Sequence, residues 1–234
     1  MLRITSAENF RRTLAGLCLI GAPLVLLVAM IVHGGGGDAG LVKTMAESPG
    51  RVQAANLLIM FSSLLFVPAL VGLLGLVRGR GVVLAHVGVA LALIGVVGHA
   101  VWAGFQIVLL GLVQSGTVDR VRMSELISGG PPNAGFVIVM LAFMIGFFLG
   151  LLFVAGGLWR SGAVPGWAAV CIFLVPFADF VPGGAIVSAL GPILGLIGFG
   201  AAGLKLLSIP DAEWNQGRAS TAGEVGVGAQ PRVQ

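Results

Sequence analysis

Charge is the scarcest commodity in this chain. Only 9% of its 234 residues are Asp, Glu, Lys or Arg, whereas soluble domains carry about 25%. That deficit leaves too few polar side chains to cover a water-facing surface, which excludes an ordinary soluble fold. Cysteine is nearly absent. Cys18 and Cys171 both lie inside apolar runs, which argues against a disulfide scaffold. The usual signatures of catalysis are missing too. No two histidines stand one helical turn apart as in H-x-x-x-H or H-E-x-x-H, the spacing that puts two zinc ligands on one helix face. There is no Gly-x-Ser-x-Gly elbow, no phosphate loop and no Asp-rich diphosphate motif. Hydrolase, ATPase and prenyltransferase readings each lose their signature.

What is present is apolar. Hydrophobic residues make up 57% of the chain, the mean hydropathy is +1.05, and there are 38 glycines. Lipid is the natural solvent for such a surface, and glycine lets membrane helices approach closely. The net charge of +4 does not indicate nucleic acid, because the basic residues sit singly or in pairs at the ends of apolar runs.

A membrane-crossing helix needs about 20 mostly apolar residues. The chain offers Leu14 to Val32, about Ala54 to Val77, Val82 to about Val113, Gly135 to Trp159, Pro165 to near Val181, and roughly Ala185 to Leu207. The first run is longer than a signal-peptide core, and no small-x-small cleavage site follows it, so it reads as a retained span. The third exceeds one crossing and must tilt, break or protrude. Ser48-Pro49 reads as an N-cap and first-turn proline for the second span, and Asn133 as a cap for the fourth. The expected fold is therefore all-α: a polytopic membrane bundle of six helices over residues 1–208, with a disordered tail at 209–234.

Placing the N-terminus in the cytoplasm puts Arg3, Arg11, Arg12, Arg78, Arg80, Arg160, Lys205, Arg218 and Arg232 inside, and Lys43, Arg51, Arg120 and Arg122 outside. That asymmetry predicts a bacterial inner-membrane protein with both termini cytoplasmic. The outside loop with Gly34-Gly35-Gly36-Gly37 reads as flexible. The next one suggests a short surface helix from Val118 to Ile127, capped by Thr117. Gly75-Leu76-Val77-Arg78 and Gly157-Leu158-Trp159-Arg160 end two spans alike, and three spans followed by three match the inverted repeats of transporters. The simpler account is that an inward-running helix tends to end in arginine.

Several boundary motifs occur in a fixed order: Pro49-Gly50-Arg51, Val67-Pro68-Ala69-Leu70, the basic turn Arg78 to Gly81, and Leu158 through Trp159-Arg160-Ser161-Gly162 to Pro165-Gly166-Trp167. This order resembles small six-span membrane proteins of unknown function from high-GC actinobacteria. The resemblance spans most of residues 10–207. It implies topology and brings no activity with it.

Ionisable residues inside a membrane are costly, so each is a site candidate. His33 ends the first span, His99 lies deep in the third, and Asp179 lies late in the fifth ahead of Pro182-Gly183-Gly184. Counting at about 1.5 Å per residue puts the three within roughly 8 Å of one another in depth. Two imidazoles and a carboxylate can hold a metal, relay protons or ligate haem iron. His86, one turn past the basic loop, reads as interfacial. Prolines at Pro23, Pro68, Pro176 and Pro192 kink or shape the bundle. The small-residue spacing of Gly146-x-x-x-Gly150 and Gly191-x-x-x-Gly195 suits packing within one chain, or a homodimer or partner face. The expectation is a non-enzymatic structural or accessory membrane protein with no cofactor. The alternatives are a carrier or binder of a small or apolar molecule, and a haem or metal protein using His33 and His99.

Overall fold

The computed structural model describes residues 7–34, 38–116, 119, 134–178, 181, 185–210 and 214, and all regular structure among them is helical. Helix α1 spans Ala7–His33, α2 Asp38–Glu47, α3 Pro49–Leu73 with a 3-10 turn at Leu74–Leu76, and α4 Val82–Ser115. Then follow α5 at Ala134–Ser161, α6 at Gly166–Ala178, α7 at Ala185–Ser188 and α8 at Leu190–Ser208. Helices α1, α3, α4, α5 and α8 are long and apolar enough to cross a membrane. Helix α6 is as apolar but has 13 residues, about 20 Å of helix against a hydrocarbon core of about 30 Å.

Chain order is also spatial order. Helix α1 packs on α3, α3 on α4, α4 on α5, α5 on α6 and α6 on α8, and α8 returns to α1 to close a ring. Short turns make successive helices antiparallel, so the ends that carry Arg12, Arg78, Arg160 and Lys205 gather on one face, the basic end. Outward-facing Leu64, Val108, Ile138 and Leu204 expose 62–68% of their surface, which lipid solvates without penalty.

Glycine sets the closest helix contact. On α4, Gly88 and Gly95 face α5; on α5, Gly146, Gly150 and Gly157 face α4. A Cβ built on Gly95 would lie 2.5 Å from the Phe147 nitrogen, and one on Gly150 would lie 2.4 Å from the Ala92 nitrogen. The two backbones therefore touch, as small residues in lipid permit. In α8, Gly198 meets Ala168 and Ile172 of α6, and Gly203 meets Gly16 of α1. Of the small-residue pairs named from sequence, Gly146 and Gly150 thus pack inside the chain, whereas a Cβ on Gly195 would meet nothing closer than 3.6 Å.

Four local outcomes refine the expectations. The long third span, expected to tilt, break or protrude, does not break. It is one helix of 34 residues, about 51 Å long, and its last turns are covered by α2. Val42 and Met45 of α2 join Val52 and α4 residues Leu109, Leu110 and Val113 in one buried cluster. The loop expected to be flexible therefore contains a helix directly after its glycines, although Gly35 to Gly37 lie outside the described residues. Helix α3 begins at Pro49, with Ser48 at the N-cap but making no side-chain cap bond. The sixth span is split at Ala189 between α7 and α8. Pro192 has no N–H for the Ser188 carbonyl and its ring clashes there, so a helix continuous through both is disfavoured.

The expected surface helix from Val118 to Ile127, its cap Thr117 and most of the tail lie outside the described residues. Three tail residues are described. Trp214 is buried against Gly75, and Arg12 donates a hydrogen bond to the Ile209 carbonyl. The chain just beyond α8 is thus held against the bundle.

Candidate functional site

The ring of helices does not fill completely at its axis. A cavity of about 100 Å³ remains, walled by every helix of the ring. Pro23 and Met30 come from α1, Phe66 and Leu70 from α3, Val96 and His99 from α4, Phe143 and Phe147 from α5, and Val175 from α6. Ser188 of α7 and Gly191, Pro192, Gly195 and Phe199 of α8 complete the wall. Phe66 and Phe199 meet edge to face at 5.8 Å. Toward the basic end, Leu73, Leu158 and Leu206 are wholly buried and close the axis.

His99 is the ionisable group in this wall. Its ring lies flat on Phe143, with centroids 5.5 Å apart and planes 11° from parallel. Neither ring nitrogen has a hydrogen-bond partner among the described residues. A neutral imidazole always presents one donor and one acceptor, and an apolar wall satisfies neither, so an unpaired nitrogen here is costly. The stacking on Phe143 fixes the ring plane and limits where a partner can approach.

His33 is elsewhere. It ends α1 beside Arg51, whose Nε donates to the Val32 carbonyl. His33 is not among the residues that wall the cavity with His99, although Met30, one turn back on α1, is. Asp179 lies outside the described residues. Among the described residues, no three His, Cys, Asp or Glu side chains converge as a metal site. His86 is exposed at the start of α4, with Nδ1 2.8 Å from the Val82 carbonyl, in keeping with an interfacial place. Cys18 and Cys171 are free thiols.

Sequence reasoning passed over two polar groups. Asn56 of α3 is fully buried, and its Nδ2 donates to the Val52 carbonyl at 3.0 Å and to Gln106 Oε1 of α4 at 3.4 Å. Its Oδ1 has no hydrogen-bond partner among the described residues. A span taken to start at Ala54 puts Asn56 at the membrane edge; the true start at Pro49 puts it inside, and that was the available signal. At the basic end Arg12 is buried with Asn9, its Nη2 donating to Asn9 Oδ1 at 3.1 Å. It had been counted only as an orienting surface charge.

Compared with models of known protein families, with curated proteins and with solved structures, the chain matches none. Whatever it does must be argued from the cavity itself. One histidine without a base, nucleophile or carboxylate beside it is equipped to hold a ligand by a hydrogen bond; the described residues give it no partner for acid–base relay.

Proposed function

We propose that this chain is a multi-pass protein of the bacterial cytoplasmic membrane, both termini inside, that binds a small and largely apolar molecule in its axial cavity without transforming it. The observation that carries this reading is the cavity of about 100 Å³ that every ring helix lines, apolar except for His99 and Ser188. A core that served packing alone would be expected to close such a space, since interiors pack to crystal-like density. Size sets the ligand class. An apolar cavity of about 150 Å³ accepts benzene, so the occupant of about 100 Å³ here has roughly four or five heavy atoms, with one polar atom to meet His99.

The test uses detergent-purified protein and two probes of matched shape, tert-butanol and neopentane. Tert-butanol should raise the midpoint of thermal unfolding more than neopentane does. Gly195→Leu should abolish both shifts, because a Cβ at Gly195 makes ordinary contacts at 3.6 Å or more and a longer side chain grows into the cavity. His99→Leu should erase the preference for the alcohol. Shifts of equal size in all three proteins would mean the probes act on detergent, leaving the purely structural role. An absorption spectrum and metal analysis of the same sample test the haem or metal alternative. A haem band or stoichiometric metal lost in His99→Ala would replace the present reading with that one.

A further inference from the structure

We infer that a groove at the basic end of the bundle is a phosphate site, built to hold the headgroup of an anionic phospholipid at the mouth of the helix ring. The groove has a volume of about 240 Å³ and is formed by three chain segments: Gly75, Leu76 and Arg78 after α3, Gly162 and Ala163 between α5 and α6, and Lys205 to Pro210 at the end of α8. Arg78 and Lys205 thus reach one groove from opposite parts of the sequence. Both are exposed, and neither forms an ion pair with any described acidic residue. The ion pair that is described, Lys43 with Glu47, belongs to α2 at the other end.

Two like charges in one groove repel each other, and an anion between them removes that cost. A phosphate suits the pair. Guanidinium can grip two of its oxygens at once, and the ammonium serves as a point charge on a third. Two backbone donors of the α5–α6 turn are already used. The Gly162 N–H goes to the Trp159 carbonyl at 3.2 Å, and the Ala163 N–H to Ser161 Oγ at 3.3 Å. Recognition therefore falls to the two side chains.

The depth of the groove and its apolar wall favour a lipid over a free ion. Trp159 and Trp167 flank the α5–α6 turn and are 58% and 56% exposed. Tryptophan gathers at the headgroup level, which sets this turn at the membrane surface. Leu76, Ile209 and Pro210 give the groove an apolar side along which a glycerol backbone can lie. Basic pockets between membrane helices bind anionic headgroups by this means.

Native mass spectrometry of the detergent-purified chain tests the assignment, with dioleoyl-phosphatidylglycerol, dioleoyl-phosphatidylcholine and inorganic phosphate as probes. The wild type should retain one phosphatidylglycerol and much less phosphatidylcholine. Arg78→Ala with Lys205→Ala should weaken that retention roughly thirtyfold, since each cation near an anionic lipid counts for about a fivefold factor. Arg80→Ala with Arg160→Ala removes as much charge from the same end but not from the groove, and should leave retention unchanged. Millimolar inorganic phosphate should compete weakly; full displacement by it would assign the site to a free phosphate instead. Equal loss in the two double variants, or no loss in the first while both unfold at the wild-type temperature, would overturn the proposal.

Discussion

Asn56 and Gln106 make a polar contact between helices in the half of the bundle away from the basic end. Their amides lie 3.4 Å apart between α3 and α4, a long contact, so its contribution belongs at the modest end. Hydrogen bonds between membrane helices average about 0.6 kcal/mol. A double-mutant cycle of Asn56→Ala and Gln106→Ala, read by denaturant unfolding in detergent, should give a coupling of about 0.5 kcal/mol. Coupling indistinguishable from zero would mean that the pair is held by its neighbours rather than by its own bond. Ser62, whose hydroxyl donates to the Ala22 carbonyl at 2.8 Å, ties α3 to α1 one layer deeper. Polar side chains therefore join neighbouring helices of the ring and contribute little to the axis, where His99 stands largely by itself.

At the scale of elements, the pairing of α4 with α5 depends on positions that admit no side chain. Gly95→Ala or Gly150→Ala places a methyl group against main-chain nitrogen at about 2.5 Å, and backbone cannot step aside as a flexible side chain can. Either change should destabilise the bundle by about 2 kcal/mol or more, in the range of overpacked cores. Gly195→Ala in α8 is the contrast. Its new methyl meets nothing closer than 3.6 Å, and alanine is the better helix former. It should be neutral or stabilising by up to about 1 kcal/mol. Unfolding curves for the three variants check the ordering, and an equally large loss at Gly195 would contradict the cavity beside it. Helix α2 shows the same principle from the other side. Its Met45 is wholly buried under the last turns of α4, so an element outside the long apolar runs still shields a helix that is too long for the bilayer.

For the whole molecule, six apolar helices in a closed ring with basic residues gathered at one end predict an even number of crossings. Helix α6 is the weak point, because its 13 residues reach about two thirds of the way across the hydrocarbon. Reporter fusions decide the matter. Fusions at Gly36 and Ser115 should report outside, and one at Ser220 inside. An outside reading at Ser220 would make α6 a segment that enters and leaves by the same face. The apolar cavity and the basic groove share no lining residue.

The sequence by itself determined that the chain is a membrane bundle and where most of its helices run. Hydrophobic length is a local property, set by how many consecutive residues tolerate lipid, and it can be read one segment at a time. The basic turn at Arg78 to Gly81 and the turn at Gly162 were legible for the same reason. The break before Pro192 was legible too, had the missing donor been counted against Ser188. Tertiary structure alone decided the rest. Depth counted along separate helices cannot tell which residues meet, so it does not show that Met30 rather than His33 lines the cavity with His99. Nor can one helix reveal that Arg78 and Lys205 line one groove, that Asn56 faces Gln106, or that six helices leave one cavity between them. Each of these depends on which faces touch once the ring closes, and contact between helices is not encoded in the hydropathy of either one.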